Sequence, residues 1–421
     1  MGAIIGLFTS EWYLVAADLT ISSARRTLLF CFLAALCEGL DVQAAGVAAG
    51  GIKQQFQPTA AALGLFFSAS NVGLILGALV GGRLADRIGR KAVLVVSIAL
   101  FGAFSLLTSL AWDIPSLTWA RALTGLGLGG AMPNLIALAA DTSRADSHNT
   151  SIATTYLGMP LGGAIASLII FVVPADAWRL VFRAGGVAPL LIVPLMIRFM
   201  PAGRHSAAPG VSPRSGDFIN DLFGEGRWSR TLLLWTGFIL IVLTLHLMLN
   251  WLPLLLVGRG LTKAQASLAQ VGFNAGGAAA AFLAVRLLDT RWQRASLVGS
   301  LVMLPVSLIL VAISPARIEL LFGWVVLLGG AIMAAQVIAY GVATACYPVL
   351  ARGTGVGSAV AAGRIGSLVG PLFAAALLGA GQTAVQVLFS LLPLAIACAV
   401  SVGRLGWRGL PRDTTGSTTR T

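Results

Sequence analysis

Long apolar runs alternate with short polar breaks along almost the whole chain. Twelve runs stand out, at residues 27–49, 62–84, 92–112, 115–140, 150–173, 179–200, 231–256, 265–287, 295–313, 318–343, 353–378 and 384–404. Each approaches or exceeds the ~20 residues that a helix needs to cross a hydrocarbon core. The longest polar stretch, Pro201 to Arg230, lies between the sixth and seventh runs and is rich in Pro, Gly and Ser, as a flexible linker is. The pattern predicts an all-α membrane protein of twelve transmembrane helices in two six-helix halves, 25–200 and 231–405. Residues 1–24 read as an N-terminal extension, because Glu11 and Asp18 interrupt their apolar stretches and no basic residue precedes them as in a secretory signal. Residues 406–421 form a tail.

The halves repeat. Arg83-Leu84-Ala85-Asp86 after the second run returns as Arg286-Leu287-Leu288-Asp289 after the eighth, 203 positions later. Gly158-Met159-Pro160 in the fifth run aligns with Gly363-Arg364-Ile365 in the eleventh, 205 positions later. Duplicated halves of this kind place a substrate site near the midplane between them. Basic residues set the orientation. With the N-terminus inside, twenty of the 28 Lys and Arg residues fall on the cytoplasmic side, six on the outer side, and Arg121 and Arg364 within spans.

Composition narrows the class. The chain is 57% hydrophobic and 10% charged, with mean hydropathy +0.90, which excludes a soluble enzyme. The net charge of +13 comes from basic residues scattered singly between spans, so it reflects loop topology and not nucleic-acid binding. Cys31, Cys37, Cys346 and Cys398 sit in apolar runs without metal-ligand spacing and read as small packing residues. No phosphate-binding glycine loop, HExxH or GxSxG motif in a soluble context occurs. Energy is therefore expected from an ion gradient, with the proton as coupling ion and no bound cofactor or metal.

The charges inside the spans carry the chemistry. Glu38 and Asp41 are three residues apart and share one helix face near the middle of the first run. An ionised acid there costs roughly 2.5–3.5 kcal/mol, so the pair is expected at a wet or protein-lined site that handles protons or cations. Arg121 in the fourth run is read as a cation biasing their protonation, the alternative being a side chain that snorkels outward. Arg364 lies about eleven residues into the eleventh run, where no snorkelling route is evident. Its guanidinium must pair with an acid or receive an anion, and its fork suits a carboxylate. Gln43, Asn134, Tyr156, Asn250, Trp251, Gln336 and Tyr340 are further candidates for the substrate site, each with helix packing as the plainer reading. Asp141 and Arg144 are either a surface pair or part of a gate. His246 could titrate but is not needed as a proton carrier, because the two acids already supply one.

Gly81-Gly82-Arg83-Leu84-Ala85-Asp86-Arg87-Ile88-Gly89-Arg90-Lys91 resembles the loop signature of the major facilitator superfamily, where the aspartate and arginines latch the halves on the cytoplasmic side. Glu38-Gly39-Leu40-Asp41-Val42-Gln43 resembles the first-helix signature of its aromatic acid/proton symporters, with Glu38 a conservative departure from their usual aspartate. Five stretches are similar to the 3-(3-hydroxyphenyl)propionate transporters of that family: Glu38 to Gly51, Ala78 to Lys91, Gly125 to Leu138, Asn250 to Leu256 and Arg352 to Gly357. The resemblance implies proton-coupled uptake of an aromatic carboxylic acid by alternating access, through a multi-pass protein of a bacterial inner membrane with both termini cytoplasmic. Proton coupling falls on Glu38, Asp41 and Arg121, with Asp41 the preferred carrier, and substrate docking on Arg364. Gating falls on Asp86, Arg87, Arg90, Asp141, Arg144 and Asp289. The expected partners are the aromatic carboxylate and the bilayer, with a monomer as the working unit. A proton-coupled drug antiporter of the same fold is the rival reading, suggested by Gly158-Met159-Pro160-Leu161-Gly162-Gly163.

Overall fold

The computed structural model describes residues 2–142, 148–200, 218–288, 290, 293–348 and 351–409. The side chains of Asp86, Asp141, Arg144, Tyr156 and Asp289 lie outside the described residues, as do those of 2–24. All described elements are helical. In order they are α1 (Gly2–Phe56), α2 (Ala60–Ile88), α3 (Arg90–Ser109), α4 (Ile114–Thr142), α5 (His148–Val172), α6 (Arg179–Phe199), α7 (Phe218–Phe223), α8 (Trp228–Gly258), α9 (Lys263–Leu288), α10 (Gln293–Ile313), α11 (Ile318–Cys346), α12 (Arg352–Gly379), α13 (Ala384–Ser390) and α14 (Leu392–Gly409). Ten described helical segments are long and apolar enough to cross a membrane, and α5 and α9 occupy the positions of the fifth and eighth predicted runs. Exposed leucines such as Leu65, Leu191 and Leu283 suit a lipid-facing surface.

Two departures from the predicted segments have local causes. The expected N-terminal extension continues without a break into the first span, because no Gly or Pro occurs from Leu7 to Glu38 to end the helix. The twelfth run is divided at Leu391, where Pro393 starts a new helix in the first-turn position that tolerates a missing N–H. Two helix starts carry side-chain caps. Asp113 Oδ1 accepts from Ser116 N at 2.8 Å, and Thr383 and Gln386 form a reciprocal capping box. The Ser116 side chain and backbone hold the half-buried Asp113 carboxyl below its ordinary range.

Backbone packing divides the chain into two compact units. One comprises Met1–Val42, Val72–Gly163 and Arg179–Ala207, the other Gln43–Asn71, Ala164–Trp178 and Ala208–Thr421. The division therefore runs through α1, α2 and α5 as well as through the linker. In the first unit, glycines let backbones touch. A Cβ on Gly162 of α5 would lie 1.9 Å from the Leu36 carbonyl of α1, and one on Gly73 of α2 would lie 1.9 Å from the Ala122 carbonyl of α4. The second unit repeats both contacts. Gly366 of α12 would meet the Ile239 carbonyl of α8 at 2.1 Å, and Gly276 of α9 the Val326 carbonyl of α11 at 2.1 Å. Each contact recurs at an offset of 203 or 204 residues, so the duplication is visible in the packing as well as in the sequence. Gly158 also faces α1, with Phe32 O 2.7 Å from its notional Cβ, which makes close packing a sufficient reason for the glycines of the Gly158–Gly163 motif.

Candidate functional site

In the first unit, four helices converge on Asp41. The apolar stripe of α1 packs into a core of Phe30, Ala34, Leu94, Phe101 and Leu128, which carries the carboxylate inside with it. Arg121 of α4 reaches it at 2.6 Å from Nη1 to Oδ2, both side chains at most 1% exposed. The same guanidinium donates from Nη2 to the Asp41 carbonyl at 3.2 Å. Ser105 Oγ of α3 lies 2.6 Å from the other carboxylate oxygen, Oδ1, and 3.2 Å from the Phe182 carbonyl of α6. Gly185 of α6 leaves the room this needs, since a Cβ there would lie 3.2 Å from Ser105 Oγ and 3.6 Å from Asp41 Oδ1. The Phe182 ring sits 5.7 Å from the guanidinium carbon, a favourable cation–π distance. Both Asp41 oxygens thus meet donors, and within the Arg121 guanidinium Nε is buried without a hydrogen-bond partner. Glu38, three residues earlier on α1, is also buried.

A charged pair of this kind gains little net stability over an apolar substitute, because desolvation offsets the attraction. Losing one partner is a different matter and costs about 3–5 kcal/mol, since the other charge stays buried.

The second unit holds the other intramembrane arginine. Arg364 of α12 is half-buried, and among the described residues no carboxylate pairs with it. Its charge reaches His246 of α8 and Tyr340 of α11, both half-buried as well. Tyr340 stands edge-on to Phe238, with ring centroids 5.1 Å apart, and Gln336 lies one helical turn away on α11. His246 Nδ1 is 3.0 Å from the Val242 carbonyl on its own helix.

Several other sequence candidates are engaged in packing. Gln43 donates to the Leu249 carbonyl at 2.8 Å, and its Oε1 accepts from Gln270 and Asn274, each at 3.3 Å. Trp251 is buried, donates to the Pro371 carbonyl at 3.0 Å and packs edge-on against Phe67 at 5.1 Å. Asn71 and Ser68 of α2 donate to the carbonyls of Ser367 and Leu368 on α12. The amides of Asn134 and Asn250 donate to carbonyls one turn back on their own helices. Arg87 is exposed and Arg90 half-buried. The sequence reading did not single out Ser105, Phe182, Gly185, Gln270 or Asn274. Hydroxyls, amides and glycines are common in membrane helices, and only the fold shows which of them converge.

Three further cations also have structural positions. Arg179 donates to the Ala111 carbonyl after α3, Arg259 to the Val311 and Ser314 carbonyls at the end of α10, and Lys263 to the Val173 carbonyl after α5. Each meets carbonyls that a helix end leaves unpaired.

A family model described as Major Facilitator Superfamily matches residues 31–264. The chain is 41% identical over 385 residues to the 3-(3-hydroxy-phenyl)propionate transporter of Escherichia coli, covering 90% of this chain and 94% of that one. It is 31% identical over 416 residues to a 4-hydroxybenzoate transporter of Pseudomonas putida, covering 90% and 91%. The E. coli xylose transporter in an inward open conformation shares the fold, with a TM-score of 0.72 over 93% of this chain and 97% of that one at 15% identity. The chain belongs to the major facilitator superfamily, as a transporter and not an enzyme, alongside relatives named for aromatic acids.

Proposed function

We propose that the protein imports an aromatic carboxylic acid of the 3-(3-hydroxyphenyl)propionate type by proton symport with alternating access. The observation that carries this reading is the contrast between the two intramembrane arginines. Arg121 is neutralised by Asp41, whereas Arg364 has no carboxylate partner among the described residues. A proton bound at Asp41 cancels its charge and releases the Arg121 guanidinium, while Ser105 retains the Phe182 carbonyl as an acceptor. Glu38, one turn away, is the second acid of the coupling site. Arg364 stays positive throughout and takes the substrate carboxylate in its fork. Tyr340 and Gln336 flank the aromatic ring in this scheme.

Proton and anion together change the charge on both arginine sites, which is the differential interaction that a conformational equilibrium needs. A cationic drug would meet the unneutralised Arg364, so the antiporter reading is disfavoured. The bias of Lys and Arg supports cytoplasmic termini, and the bacterial relatives support an inner-membrane location. The loop residues Asp86, Arg87 and Arg90, with Asp141, Arg144 and Asp289, are assigned to the cytoplasmic gate. The unit that works in this scheme is a monomer, with the proton as coupling ion and no cofactor.

Uptake by membrane vesicles of a panel of hydroxylated benzoates, phenylacetates, phenylpropionates and cinnamates tests the substrate class. Arg364→Lys keeps the charge but loses the fork, and is expected to raise KM for the preferred acid about tenfold with normal membrane insertion. An unchanged KM would remove Arg364 from substrate docking.

A further inference from the structure

Ser105 of α3 is fully buried, and its hydroxyl has acceptors within reach on two other helices. Its Oγ lies 2.6 Å from Asp41 Oδ1 on α1 and 3.2 Å from the Phe182 carbonyl on α6. A hydroxyl carries one hydrogen, so it can be turned fully to only one of them at a time. The two oxygens of Asp41 also differ toward an incoming proton. Oδ2 faces Arg121 Nη1 at 2.6 Å. A guanidinium has hydrogens but no lone pair, so a proton on Oδ2 would meet an N–H head-on. Oδ1 faces an oxygen that can accept as well as donate. A proton fits on Oδ1 provided that the Ser105 hydrogen has another acceptor, and the Phe182 carbonyl is that acceptor. Gly185 leaves space for the arrangement, since a Cβ there would stand 3.2 Å from Ser105 Oγ.

Few other charged or titratable groups surround Asp41. Arg121 comes from α4, and the buried Cys37 and Glu38 stand about one turn earlier on α1. The cations of α3, Arg90 and Lys91, are at its start, about four turns from Ser105. On α6, Arg179 donates to the Ala111 carbonyl and Arg183 is exposed. From residue 150 to 172, α5 carries Tyr156 alone, whose side chain lies outside the described residues.

We propose that Ser105 is a two-position hydroxyl that steers the coupling proton onto Oδ1 of Asp41. With Asp41 charged, Ser105 donates to Oδ1. With Asp41 neutral, the new O–H donates to Ser105 Oγ, and Ser105 keeps its own hydrogen and turns it to the Phe182 carbonyl. Ser105 gains and loses no proton, so it is a positioning residue, and through it α6 responds to the charge of a residue on α1. The inference rests on the proton-coupling reading of Asp41 and deepens it by naming the oxygen that is protonated and the group that makes room.

Infrared titration of the full chain in lipid bilayers tests this. The carboxylic C=O band of Asp41 is the one missing when Asp41→Asn is combined with Arg121→Gln, and in the wild type it is expected to grow as pH falls. Ser105→Ala takes a short, charge-assisted bond from the ionised form and weaker neutral bonds from the protonated form. Its midpoint is therefore expected about one pH unit higher, with the band displaced because the O–H has lost its acceptor. Ser105→Cys keeps a side chain of similar shape with a weak donor, and its midpoint is expected between the two. Loss of packing alone lowers the amount of folded protein and moves neither midpoint nor band. An unchanged or lowered midpoint in Ser105→Ala overturns the role of Ser105 and leaves proton coupling at Asp41 standing. Ser105→Cys decides by the same criterion if Ser105→Ala fails to reach the membrane. A wild type that shows no such band at any pH overturns the proton reading of Asp41, and the role of Ser105 with it.

Discussion

At the scale of single residues, the protein holds two cations within its spans, the buried Arg121 and the half-buried Arg364, treated in opposite ways. Arg121 is closed by Asp41, whose other carboxylate oxygen accepts from Ser105, so the charge of the pair is the proposed variable. Asp41→Asn is expected to destabilise the protein by about 3–5 kcal/mol through the uncompensated Arg121 charge. Adding Arg121→Gln should recover most of that loss and leave proton coupling absent. Thermal unfolding of the two variants in detergent checks this; equal destabilisation of both would mean that the ion pair is not what holds the site. Outside the membrane, Asp113 gives the pH-dependent case. Its folded-state carboxyl titrates below the ordinary value, so its cap contributes stability above that ordinary value and loses it as pH falls through the folded one. Asp113→Asn is expected to flatten the acid limb of a stability-against-pH curve and to change little at neutral pH. The sequence shows that Asp41, Arg121 and Arg364 are costly at their positions. It does not show which acid meets which arginine, because pairing across helices depends on rotation and register that no single run specifies.

At the scale of elements, glycine spacing decides which helices touch. A glycine in a helix interior ordinarily costs about 1 kcal/mol relative to Ala. At Gly162 and Gly366 the sign reverses, because a Cβ would enter the backbone of α1 or α8. Gly162→Val and Gly366→Val are each expected to destabilise by about 1–3 kcal/mol or more, measured by thermal unfolding in detergent. Gly50 or Gly357, where nothing lies within 4 Å of a Cβ, should tolerate Ala. The apolar runs already locate almost every helix, since length and hydropathy are properties of a segment alone. The continuity of α1 through residues 2–24 and the break at Leu391 were less legible. Two acids obscured an otherwise unbroken helix in the first case, and in the second an apolar run concealed the effect of Pro393.

At the scale of the whole molecule, the compact units do not follow the duplication in the sequence. The stretch of α1 after Val42, that of α2 before Val72 and that of α5 after Gly163 belong with the C-terminal helices. Gln43, Ser68, Asn71 and Lys263 supply the hydrogen bonds that hold them there. The proposed alternating access requires these contacts to break. Asn71→Leu removes a donor to Ser367 and is expected to favour the state in which this end is open. The check is the distance between spin labels at exposed positions 57 and 382, with a lengthened component in the variant as the expected outcome. In the proposed cycle a proton at Asp41 drives accumulation of an aromatic acid. It is tested most directly by uptake of radiolabelled 3-(3-hydroxyphenyl)propionate into proteoliposomes with an imposed pH gradient. Wild-type protein should accumulate the acid above its external concentration only with the gradient, and Asp41→Asn should equilibrate it at most. Accumulation without a gradient would rule out proton-driven uptake, and full accumulation by Asp41→Asn would remove Asp41 from the coupling site.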